Sequence, residues 1–296
     1  MTHIGDAALA RLRSIEDRPD FSGTRYDVFE EIGRGGMGLV FRGRDRALER
    51  EVAIKVTTLS TPADADRLRA EARTLARLEH PGVVAVHDVG QLPDGRVFTV
   101  MMLVRGERLD VRAATLPLAD RLRLFDRACD AVAFAHDHGI IHRDLKPSNI
   151  MVGAHGQVLV VDWGLAHSAL HESGGPSGGT EGFMAPEAGS PQVDGRADVF
   201  ALGAVLKQLL PPARTRALRP LESIVRRACE SDPDRRYQTA AELAADVRRF
   251  MDGAAVSAHR ESPFERGARL ARVYRTPIAL VLAYLAMRAL LIVWRG

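Results

Sequence analysis

An α+β fold is expected for this chain, from three observations. From Tyr26 to about residue 105 it reads mainly as short strands broken by glycine turns. After Gly106 it reads mainly as helix. At 296 residues, 46% of them hydrophobic and 27% charged, it is long enough for two lobes with cores of their own.

Composition narrows the function classes. A net charge of +3 is too small to point to nucleic acid, although arginines gather in the last part of the chain. Cys129 and Cys229 stand in alanine-rich helical contexts with no CxxC or Cys/His ligand spacing. A zinc site is therefore not expected, and both read as small buried hydrophobes in a reducing compartment. The N-terminus lacks the apolar core of a signal peptide.

Residues 1–25 form a polar extension, in which Ala8, Leu9, Leu12 and Ile15 are spaced for one amphipathic helix before Pro19 and Gly23. At Tyr26 the pattern turns to β. Residues 26–32 lead into GRGGMGLV at 33–40, read as strand, glycine turn, strand. Glycines there let backbone N–H groups approach a polyphosphate, though a plain tight turn has the same look. Leu39, Val40 and Phe41 continue as strand, which argues against a dinucleotide-type motif, where a helix follows. The strand EVAIKV ends an apolar run with Lys55. A helix is predicted over 63–79, with Leu68, Ala72, Leu75, Ala76 and Leu78 on its apolar face and Glu71 beside it. Glu71 is either one more exposed carboxylate or the partner of Lys55. Strands at 83–89 and 96–103 follow, separated by a Pro-Asp-Gly turn.

Helical spacing resumes over 118–138 and ends at Gly139. Next comes IIHRDLKPSNIMV from Ile140, which sets charged and polar residues between apolar flanks. Asp144, Lys146 and Asn149 can converge on one point there: a proton acceptor, a phosphate-oxygen partner and a metal-binding carbonyl. An ordinary surface loop with an ion pair would look similar. A strand at 158–161 then runs into Asp162-Trp163-Gly164, either a metal-ligand position or a turn aspartate.

Taken in order, GRGGMGLV, VAIK, Glu71, HRDLKPSN, DWG and APE at 185–187 match the signature set of protein kinases. The chain resembles a eukaryotic-like Ser/Thr protein kinase of the kind found in bacteria, over about residues 26–252. The resemblance implies a bilobal fold, a β-rich N-lobe (26–105) and a mainly helical C-lobe (106–252). It implies transfer of the ATP γ-phosphoryl group to Ser/Thr hydroxyls of proteins, with Mg²⁺ or, in its place, Mn²⁺. Gly33, Gly35, Gly36 and Gly38 would cover the phosphates, with Ile32, Arg34 and Met37 in the same loop. Val40, Ala53 and Met151 would sandwich adenine, and Met101 to Leu103 would form the hinge. Lys55, oriented by Glu71, would hold the α/β-phosphates. Asn149 and Asp162 would hold two metal ions, Asp144 would take or orient the hydroxyl proton, and Lys146 would neutralise the γ-phosphate.

The family likeness also assigns regulatory and structural roles. Arg143 would meet a phosphorylated activation loop, where Ser168, Ser173, Ser177 and Thr180 are candidates, and Thr180 would brace Asp144 and Lys146. Glu187 would pair with Arg236, and Asp198 would hold the catalytic-loop backbone. Protein substrates and a homodimer for trans-autophosphorylation are expected, nucleic acid is not. The rival reading is a pseudokinase that binds ATP or partners without transfer; small-molecule phosphotransferases lack the APE element.

Two departures stand out. Trp163 replaces the usual Phe and should fill the same apolar slot, while the short run 211–220 lacks the family's Gly-x-x-Pro-Phe motif and a further helix. That loss puts substrate docking on this surface in doubt. After a basic linker at 253–276 with Arg266, Arg269, Arg272 and Arg275, residues 277–294 read as a hydrophobic helix. It would be about 27 Å long, near the minimum for a bilayer core. A single-pass anchor with the kinase domain cytoplasmic is expected, with Arg288 snorkelling outward. A helix packed on a lobe and a dimerising helix are the alternatives. Only Arg295 and Gly296 follow, so any signal is expected to arrive by a route other than a sensor beyond the span.

Overall fold

In the computed structural model, the described residues are 19–35, 38–57, 62–163, 180, 182–190, 193–212 and 215–295. The helix expected around Ala8–Ile15 lies outside them, as do Gly36, Met37, Ser168, Ser173, Ser177 and the side chain of Glu71.

Alternation of side chains along each strand builds the N-lobe. Strands β1 (Tyr26–Gly35), β2 (Gly38–Asp45), β3 (Arg50–Thr57), β4 (Val86–Gln91) and β5 (Val97–Met102) form one antiparallel sheet, ordered β1-β2-β3-β5-β4. On β3, Val52, Ile54 and Val56 turn to a cluster with Phe21, Tyr26, Phe41 and Phe98. Ala53 belongs instead to the main core, with Met101 and with Leu68, Ala72 and Leu75 of helix α1 (Pro62–Leu75).

The glycine hairpin closes with Gly35 opposite Gly38. Gly38 has φ +141°, and a Cβ there would fall 2.0 Å from the Val56 carbonyl oxygen. Only glycine fits.

Helix α1 ends at Leu75, earlier than the expected Glu79, and continues as turns bonded from Arg77 to Thr74 and from Leu78 to Leu75. The strand expected at 83–89 starts at Val86. Val83 and Val84 pair elsewhere, in an isolated bridge to strand β8 (Val158–Val160) of the C-lobe. With β6 (Gly106–Arg108) and β7 (Ile150–Gly153), β8 forms a three-stranded sheet.

The C-lobe is helical: α2 (Leu109–Ala114), α3 (Leu118–Asp137), α4 (Arg196–Leu209), α5 (Arg219–Ala228) and α6 (Ala240–Met251). Its centre is α3, where Leu122, Phe125, Ala128, Cys129, Val132 and Ala135 are buried at helical spacing. Cys129 and Cys229 are both free thiols. Helix α3 ends in a Schellman motif: Gly139 (φ +75°) donates to His136 O at 2.9 Å and Ile140 to Ala135 O at 2.9 Å. The chain thereby turns straight into residues 141–149.

The segment after α6, expected as a basic linker, is docked on the C-lobe up to His259. Val256 is buried in the main core. Asp246 of α6, also fully buried, accepts from Ser257 N (2.9 Å), Ser257 Oγ (2.7 Å), Ala258 N (3.1 Å) and Tyr237 OH (2.8 Å), and pairs with Arg249. Burial opposes its charge, but the bonds from Ser257, Tyr237 and Arg249 hold its carboxyl down to about 2. A depressed carboxylate contributes stability above its unfolded pKa and loses it as pH falls toward the folded value. Asp246→Asn is therefore expected to lower stability at pH 7 by roughly 2 kcal/mol, with the gap to wild type narrowing below about pH 4. Denaturant melts of both proteins from pH 7 downward check this.

Helix α7 (Pro263–Val273) follows, and then α8 (Arg275–Arg295), on which Leu280, Val281, Leu282, Tyr284, Leu285 and Met287 are exposed. Among the described residues no helix is long and apolar enough to cross a membrane. The side chains of Ile278 and of residues 289–293 within α8 are outside that set.

Candidate active site

The cleft face of the N-lobe sheet sets the first part of the site. Val40 lies opposite Lys55 across the β2–β3 pair, and Met101 opposite Ala53 across β3–β5. Directly paired residues project to the same face, so Val40, Ala53, Lys55 and Met101 line one surface. Met102 donates its amide to Ala85 O at 2.9 Å, fixing the end of β5 before Leu103. Met151 comes from below, in the middle of β7 between Arg108 and Leu159.

Residues 142–149 are held by one buried carboxylate. Asp198, 1% exposed in the first turn of α4, accepts from the backbone amides of His142 (2.7 Å) and Arg143 (2.8 Å). It also meets His136 Nε2 at 2.8 Å. Burial opposes its charge, and the hydrogen bond from His136 with the His142 contacts holds its carboxyl below the ordinary carboxylate range. Nothing in the sequence marks His136 as this partner. No local signal separates it from His138, which bonds Phe134 O instead, because its partner is 62 residues away.

Within this frame Arg143 takes φ +66° and Asp162 φ +59°, both in the left-handed region that non-glycine residues rarely enter. His142 is fully buried and bonds Val161 O at 2.9 Å, with its ring 4.9 Å from that of Trp163. Trp163, 2% exposed, fills the apolar slot and donates its indole N–H to Val160 O at 2.9 Å. The hydrophobic slot thus accepts the larger ring because the one polar atom finds a carbonyl.

The polar groups converge. Lys146 Nζ is 2.8 Å from Asp144 Oδ2 and 2.8 Å from Thr180 Oγ1. Asn149 Nδ2 donates to Asp144 O at 2.8 Å, which leaves its Oδ1 as the end suited to a cation. Lys55 Nζ meets Asp162 Oδ1 at 3.1 Å. Burial pushes the Asp162 carboxyl up, but Lys55, His142 and Lys146 outweigh it and hold the group below the ordinary carboxylate range. An ionised carboxylate and an amide oxygen are the hard donors a divalent ion favours, so the residues fit such an ion. No group of three or more His, Cys, Asp or Glu side chains placed to hold a metal ion by itself occurs among the described residues.

Residues 26–254 match the protein kinase domain family. The chain belongs to the protein kinase family. It is 37% identical over 282 residues to the serine/threonine-protein kinase PknB of Mycolicibacterium smegmatis, covering 81% of this chain and 45% of that protein. A probable serine/threonine-protein kinase of Streptomyces coelicolor is 33% identical over 284 residues, 82% of this chain and 42% of its own. The DNA damage-responsive kinase RqkA of Deinococcus radiodurans is 43% identical over 195 residues, 62% and 29% of the two chains. The chain spans less than half the length of these relatives.

The kinase domain match ends at residue 254, but the docking of Val256 to His259 carries the folded unit a few residues further. Inside the domain, Glu187 and Arg236 form a bidentate pair at 2.5 and 2.8 Å. Arg236 is 1% exposed and also donates to the carbonyls of Glu230, Arg196 and Ser231. Burial opposes the charge on Glu187, but Arg236 keeps its carboxyl below the ordinary range. Arg236→Ala should destabilise the fold by about 3–5 kcal/mol, because it strands a carboxylate and three carbonyls. Arg236→Lys should not restore it, since an ammonium lacks the planar fork. Urea unfolding of the three proteins measures both.

Proposed function

We propose that this chain is an active Ser/Thr protein kinase, membrane-tethered through α8. The observation that carries the activity is the Lys146 ammonium seated at 2.8 Å from both Asp144 and Thr180. A lysine fixed there can neutralise the transferred phosphoryl group, and the threonine fixes the carboxylate that faces the acceptor hydroxyl.

In this reading the acceptor oxygen bonds to the γ-phosphorus as the bond to the β–γ bridging oxygen breaks and ADP leaves. Asp144 takes the hydroxyl proton. Lys55 holds the α/β-phosphates, with Glu71 as its orienter, and the hairpin around Gly38 covers them. Divalent ions, Mg²⁺ or Mn²⁺, would be held by Asn149 and Asp162 and would neutralise phosphate charge. Val40, Ala53, Met101 and Met151 suit the adenine ring. Arg143 would meet a phosphorylated loop, phosphorylated in trans by a second copy. Incubation with γ-labelled Mg–ATP and a mixed protein substrate should place label in phosphoserine and phosphothreonine. Label confined to phosphotyrosine would refute the acceptor class.

The tether rests on the exposed Leu280, Val281, Leu282 and Leu285 of α8, which leave apolar surface without a protein partner among the described residues. Trp294, 85% exposed, stands where an interfacial aromatic would. Full-length protein is expected in the membrane fraction and protein lacking residues 276–296 in the supernatant. A full-length chain found wholly in the supernatant would remove the anchor.

A further inference from the structure

The docked tail builds something with α5 that neither makes alone. Between them lies a surface pocket of about 570 Å³. Its α5 side supplies Arg219, Glu222, Ser223 and Arg226; its tail side supplies His259 and Arg260. Three guanidinium groups thus face one carboxylate. Ser223 at the floor is 5% exposed, and its hydroxyl contacts His259 Nδ1 at 3.1 Å and Arg226 Nη2 at 3.0 Å. His259 Nε2 lies 3.5 Å from Glu265, which also approaches Arg219 at 3.7 Å. Neither Arg226 nor Arg260 has an acidic partner among the described residues.

We propose that this pocket binds a phosphate group. Guanidinium forks match phosphate oxygens bidentately, and a hydroxyl with a histidine at the base can donate to the remaining oxygens. The volume lies within the range of small-ligand sites, roughly 300–1,000 Å³. Half of the pocket belongs to the kinase domain and half to the segment leading to α7 and α8, so an occupant would fasten the tail to the C-lobe. The phosphate can be free or the headgroup of an anionic lipid. The site does not depend on the phosphoryl-transfer assignment, since it shares no residue with it.

The test uses the full chain in a non-ionic detergent, its nucleotide site filled with a non-hydrolysable Mg–ATP analogue. Inorganic phosphate is titrated by calorimetry at constant ionic strength. Saturable one-to-one binding is expected, weakened about tenfold by Arg226→Ala and by Arg260→Ala. Arg235→Ala, an exposed arginine outside the pocket, should leave it unchanged. The Arg260 side chain makes no hydrogen bond with a described residue, so its removal spares the fold even if Arg226→Ala does not. Absence of saturable binding, or equal affinity in wild type and Arg260→Ala, overturns the proposal. Short-chain phosphatidic acid binding at least tenfold more tightly than phosphate assigns the site to a lipid headgroup; equal or weaker binding assigns it to free phosphate.

Discussion

Asp144→Ala is expected to lower kcat by about 10²–10⁴-fold while the KM for ATP stays within a few-fold of wild type. In the proposed mechanism the carboxylate faces the acceptor, and the removed contacts are those to Lys146 at 2.8 Å, Asn149 Nδ2 at 3.3 Å and Thr180 Oγ1 at 3.5 Å. Asn149 keeps its stronger bond to the Asp144 backbone carbonyl, so the loop has its anchor in the variant. Thermal melting should therefore shift little. Under the proposed mechanism Asp144 and Lys146 act on the same reacting centre, so the double variant Asp144→Ala/Lys146→Ala should be little worse than Asp144→Ala alone. Multiplicative losses would mean that the two groups work independently.

Asp198→Ala should cost activity and stability together. The carboxylate is 1% exposed and satisfies two backbone amides and His136. Its removal leaves those donors buried and unpaired, at a cost of roughly 3–5 kcal/mol. In a domain of this size that corresponds to a fall in Tm on the order of 10 °C. The amides of His142 and Arg143 would lose the partner that holds Arg143 at φ +66°, so residues 142–149 should lose their arrangement before the fold is lost. The prediction is a low kcat at temperatures where the variant is still folded. Asp198→Asn keeps one acceptor oxygen and should fall between the two proteins in both readouts. Unchanged kcat in folded Asp198→Ala would show that the loop holds itself.

What could be read from the sequence follows from the distance between interacting partners. Asp144, Lys146 and Asn149 lie within six residues, so their convergence was visible as a pattern. The strand-end positions of Lys55 and Asp162 were legible because apolar runs precede them, but only the fold shows them 3.1 Å apart. The functions of Asp198, Glu187 and Arg236 came from the family likeness alone. Their partners are 40 to 62 residues distant for the main contacts with His136, Arg196 and each other, beyond any periodicity argument. His136 was missed for the same reason. The late start of β4 reflects competition: Val83 and Val84 satisfy their pairing with β8, which local β-propensity cannot foresee. The segment after Met251 looked like a linker because it is rich in small and polar residues. It folds onto the lobe because Asp246 gathers Ser257 and Ala258 around a buried charge.

The measurement that bears most directly on the central claim is phosphoryl transfer by wild-type chain already shown to bind Mg–ATP. Under saturating nucleotide, label from the γ-position should pass to protein serine and threonine hydroxyls over many turnovers. Stoichiometric nucleotide binding with no transfer above that of Asp144→Ala would contradict it, and would make the chain a pseudokinase that binds ATP without transferring its phosphate.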